Sequence, residues 1–259
     1  MSYTYKYPHP AVTTDCVIFG FDGYELKVLL VQRGNEPFKG YWAFPGGFMN
    51  MDETVEECAI RELAEETALQ QRFMKQFQVY SEVDRDPRER VITIAFYALT
   101  KIAPVVGGDD AAKAEWFPVK NLPQLAFDHA DIFKDALTQL RKDIHFEPIG
   151  FDLLDEQFTM PQLQRLYEAV LGLNFDRRNF QKKMLQLGIL DEIDEDAPSG
   201  STYFGAHSEM KLMDIDNLFF SIQSPERECA RVGRKPKKYS FNKQQYDIIK
   251  QDDNFKLEF

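Results

Sequence analysis

The sequence predicts an α/β chain in which a domain of alternating strands and helices is followed by a winged helix-turn-helix domain. Three observations carry this. Two nearly continuous apolar runs, 15–21 and 26–32, flank the turn signal Asp22-Gly23. Residues 54–66 set an apolar stripe at helical spacing on an unusually acidic segment. Beyond Phe151, two short amphipathic stretches, each with its own cap and stop, precede a basic hairpin. A chain of 259 residues is long for one such module, and the division falls after Pro148, giving domains 1–148 and 149–259.

Runs 15–21 and 26–32 are rich in Val, Ile, Phe and Leu and lack the alternation of a half-exposed sheet, so both faces are expected to be buried. FKGYWAFPGGF, 38–48, has the Gly and Pro punctuation that ends a strand and opens a loop, with Trp42 and Phe44 expected in the core. Thr54 with Glu57 three residues on is a capping-box pattern, so a helix starts there and runs to about Glu66. At about 100° per residue, Val55, Cys58, Ala59 and Leu63 form its apolar stripe, with Glu62 and Glu66 projecting from the middle and Glu65 at the edge. A carboxylate facing protein is costly unless paired or metal-bound, which makes solvation a poor account of Glu62 and Glu66. Glu56 and Glu57 point elsewhere and read as solvated. Arg61 lies beside the acidic face, placed to hold Glu53 of the entering loop as a bidentate partner. Hard oxygen donors of this kind suit Mg²⁺ or Mn²⁺, with a diphosphate completing the coordination.

The stretch GGFMNMDETVEECAIRELAEETAL, 46–69, resembles the signature of the Nudix hydrolases: a Gly, five residues, Glu, seven residues, Arg-Glu, an apolar residue, then Glu-Glu. Gly47, Glu53, Arg61, Glu62, Leu63, Glu65, Glu66 and Leu69 fall on the pattern. One position departs: Ala68 stands where the family usually has Gly, which bears on the last turn of the helix and leaves the chemistry untouched. By that resemblance Glu62, Glu65 and Glu66 bind metal, helped by the Gly46 carbonyl, and Glu53 and Arg61 support them. Glu53, Arg61, Glu62 and Glu65 form the implied catalytic set. The general base stays open among Glu62, Glu65 and an acid from a mobile loop. The implied fold of this half is an α/β/α sandwich.

Residues 77–83 and 91–99 read as further strands around DRDPRER, 84–90. A charged Pro turn is most often a solvated loop. On the rim of a diphosphate site, Arg85 and Arg88 are placed to meet phosphate or ribose oxygens. This loop, like the string AFDHA at 126–130, resembles its counterpart in Nudix proteins that act on ADP-ribose. Residues 114–119 give a last strand and 128–142 a helix burying Ile132, Phe133, Ala136, Leu137 and Leu140. Asp128 is its expected N-cap, and His129 reads as structural.

In the second half, Thr159 can cap a helix carrying Leu163, Leu166, Tyr167, Val170 and Leu171, ended by Gly172. Asp176 can cap a second, with Phe180, Met184 and Leu187 inward, Arg178, Asn179, Lys182, Lys183 and Gln186 outward, and Gly188 as the stop. Runs 189–193 and 238–242 read as wing strands, and RVGRKPKKYSF brings Arg231, Arg234, Lys235, Lys237 and Lys238 together without an acid. The net charge of −11 would argue against nucleic acid if it were uniform, but the basic residues bunch here. The DNA-contacting set is therefore Arg178, Asn179, Lys182, Lys183, Arg234, Lys235 and Lys237. The bland alternative is a helical oligomerisation domain with a solvated face. Residues 158–190 also resemble the winged-helix half of Nudix-related transcriptional regulators, in which a Nudix domain senses a nucleotide metabolite. The resemblance falters at an insert of about 194–230, longer than a usual wing turn.

No apolar run reaches the length of a membrane span and the N-terminal stretch lacks signal-peptide order, so a cytoplasmic protein without a membrane partner is expected. Cys16, Cys58 and Cys229 have no CxxC spacing, which supports neither a disulfide framework nor a zinc site. The resemblance implies Mg²⁺- or Mn²⁺-dependent cleavage of ADP-ribose, or a related nucleotide sugar, to AMP and ribose 5-phosphate. It also implies a homodimeric regulator of double-stranded DNA whose domain arrangement is biased by the metabolite. The chain keeps every signature carboxylate, so hydrolysis is expected to be retained. A catalytically idle sensor and a pure hydrolase with an oligomerisation domain are the alternatives.

Overall fold

The structure, a computed structural model, describes residues 6–71, 73–108, 111–147, 150–193 and 236–250. The expected boundary at 148/149, the insert at 194–230, and Arg231, Arg234 and Lys235 lie outside the described residues.

β1 (Ala11–Phe21) is the centre of the first sheet, parallel to β5 (Val91–Lys101) and antiparallel to β2 (Leu26–Arg33). The short β3 (Trp42–Ala43) and β6 (Ala111–Pro118) both pair with β2, and β4 (Lys75–Tyr80) pairs with β5. Side chains alternate across these strands and feed two cores. Cys16, Ile18, Leu29, Val31, Phe96 and Ala98 pack with Ala59 and Leu63 of α1 (Val55–Thr67). Val17, Phe19, Val28, Leu30, Ala95 and Tyr97 pack with Ile132, Phe133, Ala136 and Leu140 of α2 (His129–Asp143). A sheet covered by a helix on each face is the expected α/β/α sandwich, and it explains why β1 and β2 read as continuous apolar runs.

α1 begins where its capping box places it: the Glu57 N–H donates to Thr54 Oγ1 at 3.2 Å and the Thr54 N–H to Glu57 Oε2 at 2.8 Å. It ends on Ala68, whose φ of 59° is the left-handed conformation a Gly would take. α2 corrects the sequence reading. Asp128 is its N-cap residue, but the carboxylate makes no capping bond and turns to Arg85 instead.

A 3-10 turn, Phe151–Leu153, leads into β7 (Phe158–Thr159), α3 (Met160–Leu171) and α4 (Arg177–Gln186). β8 (Leu190–Ile193) and β9 (Lys238–Phe241) follow, then α5 (Lys243–Ile249). β9 lies between β7 and β8 in an antiparallel sheet, so two helices and a strand pair make a winged helix. β7 and α5 were not legible in the sequence, being only two and seven residues long. The second half shares a core with the first: Leu163, Leu166, Tyr167, Val170, Phe180 and Met184 belong to the cluster that holds Phe19 and Ile132. No helix among the described residues is long and apolar enough to cross a membrane.

Candidate functional site

The acidic helix and the loop before it are tied together by Arg61. Its Nε and Nη2 donate to the two Glu53 oxygens at 2.9 and 2.6 Å, the bidentate pair expected from the spacing. Nη1 donates to Glu62 Oε1 at 2.7 Å and Glu65 Oε2 at 3.0 Å, and Nη2 also reaches the Phe48 carbonyl. The Arg61 hydrogen bonds hold the Glu53 carboxyl down to about 2. Glu66 instead accepts from the Gly46 N–H at 3.0 Å. That bond uses the Gly46 N–H and is separate from the role at the metal that the resemblance implies for the Gly46 carbonyl. Burial pushes the Glu66 carboxyl up to about 8, with the charges of Glu62 and Asp15 adding to the shift. Burial likewise raises Glu62.

The glycines before α1 are there for close approach. A Cβ on Gly46 would sit 2.0 Å from the Thr14 carbonyl oxygen, and one on Gly47 would sit 2.5 Å from the Glu62 carboxylate. Cross-links from Thr14 N–H to Gly47 O and from Cys16 N–H to Pro45 O then fix the loop against β1.

Gly46, Arg61, Glu62 and Glu66 line a cavity of roughly 400 Å³ together with Asp15, Arg33, Phe48, Arg85, Arg88, Phe127 and His129. Glu53 and Glu65 are not among the lining residues and act on it through Arg61. Among the described residues no three carboxylate, imidazole or thiol side chains converge as a ready-made metal cluster, because Glu62 and Glu65 both turn onto the Arg61 guanidinium. The donor chemistry nonetheless fits a hard divalent ion. Glu62 and Glu66 are carboxylates in a partly desolvated pocket, each raised by burial and by a neighbouring acid, which is the situation a cation relieves.

Arg85 lines this pocket but its side chain is only 5% exposed, donating to both Asp128 oxygens at 2.9 and 2.7 Å and lying 3.5 Å from Asp15. Carboxylates on either side thus make it a strut between the loop and α2. Arg88, 39% exposed, pairs with Asp86 and stands over the Phe48 and Phe127 rings. His129 stacks on Phe44 and accepts the Phe44 N–H on Nδ1 at 3.0 Å. Burial lowers its pKa, so the ring is neutral and structural, as its place in the helix suggested.

In the winged helix, Asp176 caps α4 by accepting the Asn179 N–H, and Phe180 and Met184 are buried. Arg178, Asn179, Lys182, Lys183 and Gln186 are all exposed on the opposite side. Lys237 is ion-paired with Glu192 on the neighbouring strand, which ties it into the wing.

Comparison with known proteins decides the family. The NUDIX domain matches residues 9–136, and the NrtR DNA-binding winged helix domain matches residues 150–203. The ADPR responsive transcriptional repressor NtrR of Acinetobacter baylyi is 32% identical over 199 residues, 75% of this chain and 80% of the relative. The chain belongs to the Nudix family, with an NrtR-type winged helix. An ADP-ribose pyrophosphatase of Methanocaldococcus jannaschii is 48% identical over 131 residues, 51% of this chain and 75% of that protein. The crystal structure of Shewanella oneidensis NrtR complexed with a 27mer DNA superposes with a TM-score of 0.57 at 29% identity, over 72% of this chain and 90% of that one.

Sequence reasoning missed several residues that line the Nudix pocket. Asp15 carried a signal, a lone carboxylate in an otherwise apolar buried strand, and it lies 3.5 Å from both His129 Nε2 and Arg85 Nη2. Arg33 and Phe127 carried none, because only the folded chain brings residue 33 against residue 127.

Proposed function

We propose that the protein is an ADP-ribose-responsive transcriptional repressor, acting as a homodimer on double-stranded DNA, whose Nudix domain also hydrolyses ADP-ribose to AMP and ribose 5-phosphate. One observation carries the reading: a signature that keeps every carboxylate, with Arg61 braced by Glu53 and acids lining a pocket, occurs in one chain with an exposed basic α4. The names of the Acinetobacter and Methanocaldococcus relatives support its two halves.

In this reading Glu62, Glu65 and Glu66 would hold Mg²⁺ or Mn²⁺. When bound, the ion supplies charge neutralisation at the diphosphate and a lowered pKa for water. The protein's own groups orient and exclude. Arg61 fixes the Glu62 and Glu65 carboxylates and ties the Glu53 loop to α1. Gly47 leaves room for Glu62 to enter the pocket. For the proton of the attacking water, Asp86 is a poor acceptor: burial pushes its carboxyl up, but the Arg88 hydrogen bonds bring it net below the usual range. Glu62, Glu65 and a loop acid such as Glu36, which lines the pocket, stay open for that role. On the DNA side, Arg178, Asn179, Lys182 and Lys183 meet the duplex from α4 while Phe180 and Met184 anchor the helix behind them. Arg234, Lys235 and Lys237 belong to the wing side of that surface.

The test uses full-length protein with duplexes selected from its own genome, titrated with and without ADP-ribose, alongside a Mg²⁺ assay over a panel of nucleoside diphosphate derivatives. Release of DNA by ADP-ribose, and ADP-ribose as the leading substrate, are expected. Glu66→Gln should lower turnover at least about a hundredfold. Preference for nucleoside triphosphates, or parental turnover in Glu66→Gln, sinks the hydrolase half; failure to bind any duplex at low salt sinks the regulator half.

A further inference from the structure

α4 presents two side chains that phosphate binding does not call for. Asn179 and Gln186 are exposed, and neither side-chain amide has a hydrogen-bond partner among the described residues. They stand seven residues apart, two helical turns, so both project away from the buried Phe180 and Met184, with Lys182 between them. The segment RRNFQKKMLQ contains no acid, and its cations Arg177, Arg178, Lys182 and Lys183 supply the attraction for phosphates, to which a neutral amide adds no charge. Neither amide serves the helix either. Asp176 makes the N-cap bond, to the Asn179 backbone N–H at 2.9 Å, and an exposed helical position favours Ala over Asn.

Reading bases needs a rigid mount, and α4 has one. The Phe180 ring lies 5.8 Å from that of Tyr167 of α3 and 5.6 Å from that of Phe175. The turn before α4 is tied to α3: the Phe175 N–H donates to Glu168 Oε1 at 2.8 Å, and Gln164 Nε2 donates to the Phe175 carbonyl at 2.9 Å. At 1.5 Å per residue the two amides are about 10.5 Å apart along the helix. Base pairs stack about 3.4 Å apart, and a helix lying along the major groove runs oblique to that axis, so the amides fall on base pairs about two or three steps apart. Each amide sets an acceptor beside a donor. Adenine offers the matching pair in the major groove, its N6–H and N7, whereas guanine shows two acceptors there, which suit a cation.

We propose that Asn179 and Gln186 are the sequence-reading residues of α4, each pairing with the N6–H and N7 edge of an adenine. The duplex then carries two A·T pairs about two or three steps apart under each α4. This rests on the reading that the protein binds double-stranded DNA through α4.

The test starts from full-length protein and a pool of randomised duplexes, from which the bound sequence is selected at moderate salt. Each adenine of that duplex is then replaced in turn by 7-deazaadenine, which keeps the base pair and removes the N7 acceptor. Parental affinity should fall about tenfold at two positions with the stated spacing and little elsewhere. Asn179→Ala should be indifferent to replacement at one of them and Gln186→Ala at the other, a coupling that a merely solvated side chain does not show. Both variants should keep the parental salt dependence, because no charge is lost. If the parent tolerates every replacement, or each variant still suffers both losses, the readout is overturned. A parent that binds duplexes without selecting any sequence overturns it too, while the DNA-binding reading stands. If no duplex is bound even at low salt, that reading fails and the readout with it.

Discussion

Ala68 shows how a single residue can be tolerated without being optimal. A left-handed alanine costs about 1–2 kcal/mol, whereas a glycine there would give up about 0.5–1 kcal/mol through the freedom of the unfolded chain. The helix cap itself is intact, since the Ala68 N–H still reaches the Ala64 carbonyl at 2.9 Å. Ala68→Gly should therefore raise stability by about 0.5–1 kcal/mol, seen as a higher denaturant midpoint; an unchanged or lower one would mean the loop after α1 compensates the strain. His129 gives a pH signature. Burial lowers its pKa below 6.5 against the opposing pull of Asp15 and Asp128, with Arg85 and Arg33 assisting. A depressed folded pKa contributes stability that is present above pH 6.5 and lost as pH falls through the lower folded value. His129→Asn keeps an acceptor for the Phe44 N–H but cannot become charged. Urea midpoints measured downward from pH 8 should fall more steeply in the parent, and equal slopes would remove His129 from the account.

At the scale of elements, α1 and α4 are alike in construction and opposite in sign. Each buries one stripe and presents charge elsewhere. In α1 the acids are turned toward protein, so Arg61 and Gly46 must meet them. In α4 the cations face water. A solvated face costs nothing to remove, so changing Arg178 and Lys182 together to Ala should leave folding and ADP-ribose hydrolysis intact. It should weaken duplex binding at least about tenfold at low salt and flatten the salt dependence, because two phosphate-neutralising charges are lost. Parental DNA affinity in the double variant would move the contact surface off α4. α2 is held at both ends: His129 sits in the pocket wall and Asp128 accepts from Arg85, while Arg141 Nε donates to the Val170 carbonyl of α3 at 3.0 Å. This helix is one physical link between the two halves, beside the contacts of α3 with β2.

For the whole molecule, that link lies within a continuous core. One apolar cluster runs from Phe19 and Leu30 of the first sheet through Ile132 and Leu140 of α2 to Tyr167 and Phe180 of the winged helix. Domains joined only by a linker melt separately, whereas a shared core makes each half part of the other's buried surface. Scanning calorimetry should show a single cooperative transition with equal calorimetric and van't Hoff enthalpies. Arg141→Ala should lower its midpoint, since it strips a donor from a carbonyl at the junction, a loss of about 1 kcal/mol. Two resolved transitions would show that the cluster does not couple the halves.

The sequence by itself determined what depends on local order. Spacing within one helix placed Glu62, Glu65 and Glu66 on a shared side and Arg61 within reach of Glu53, and the Thr54–Glu57 pair set where that helix begins. Apolar periodicity likewise fixed the buried faces of α2, α3 and α4. Contacts between distant residues were decided only by the tertiary structure. Asp128 reads as a cap in any local window, and it becomes the partner of Arg85 because the sheet brings a loop 43 residues away against it. Arg33, Phe127 and Arg88 belong to three separate loops or strand ends, and no periodicity relates them. Local patterns encode which face of an element is buried, while the packing of one element on another selects the partner each polar group meets.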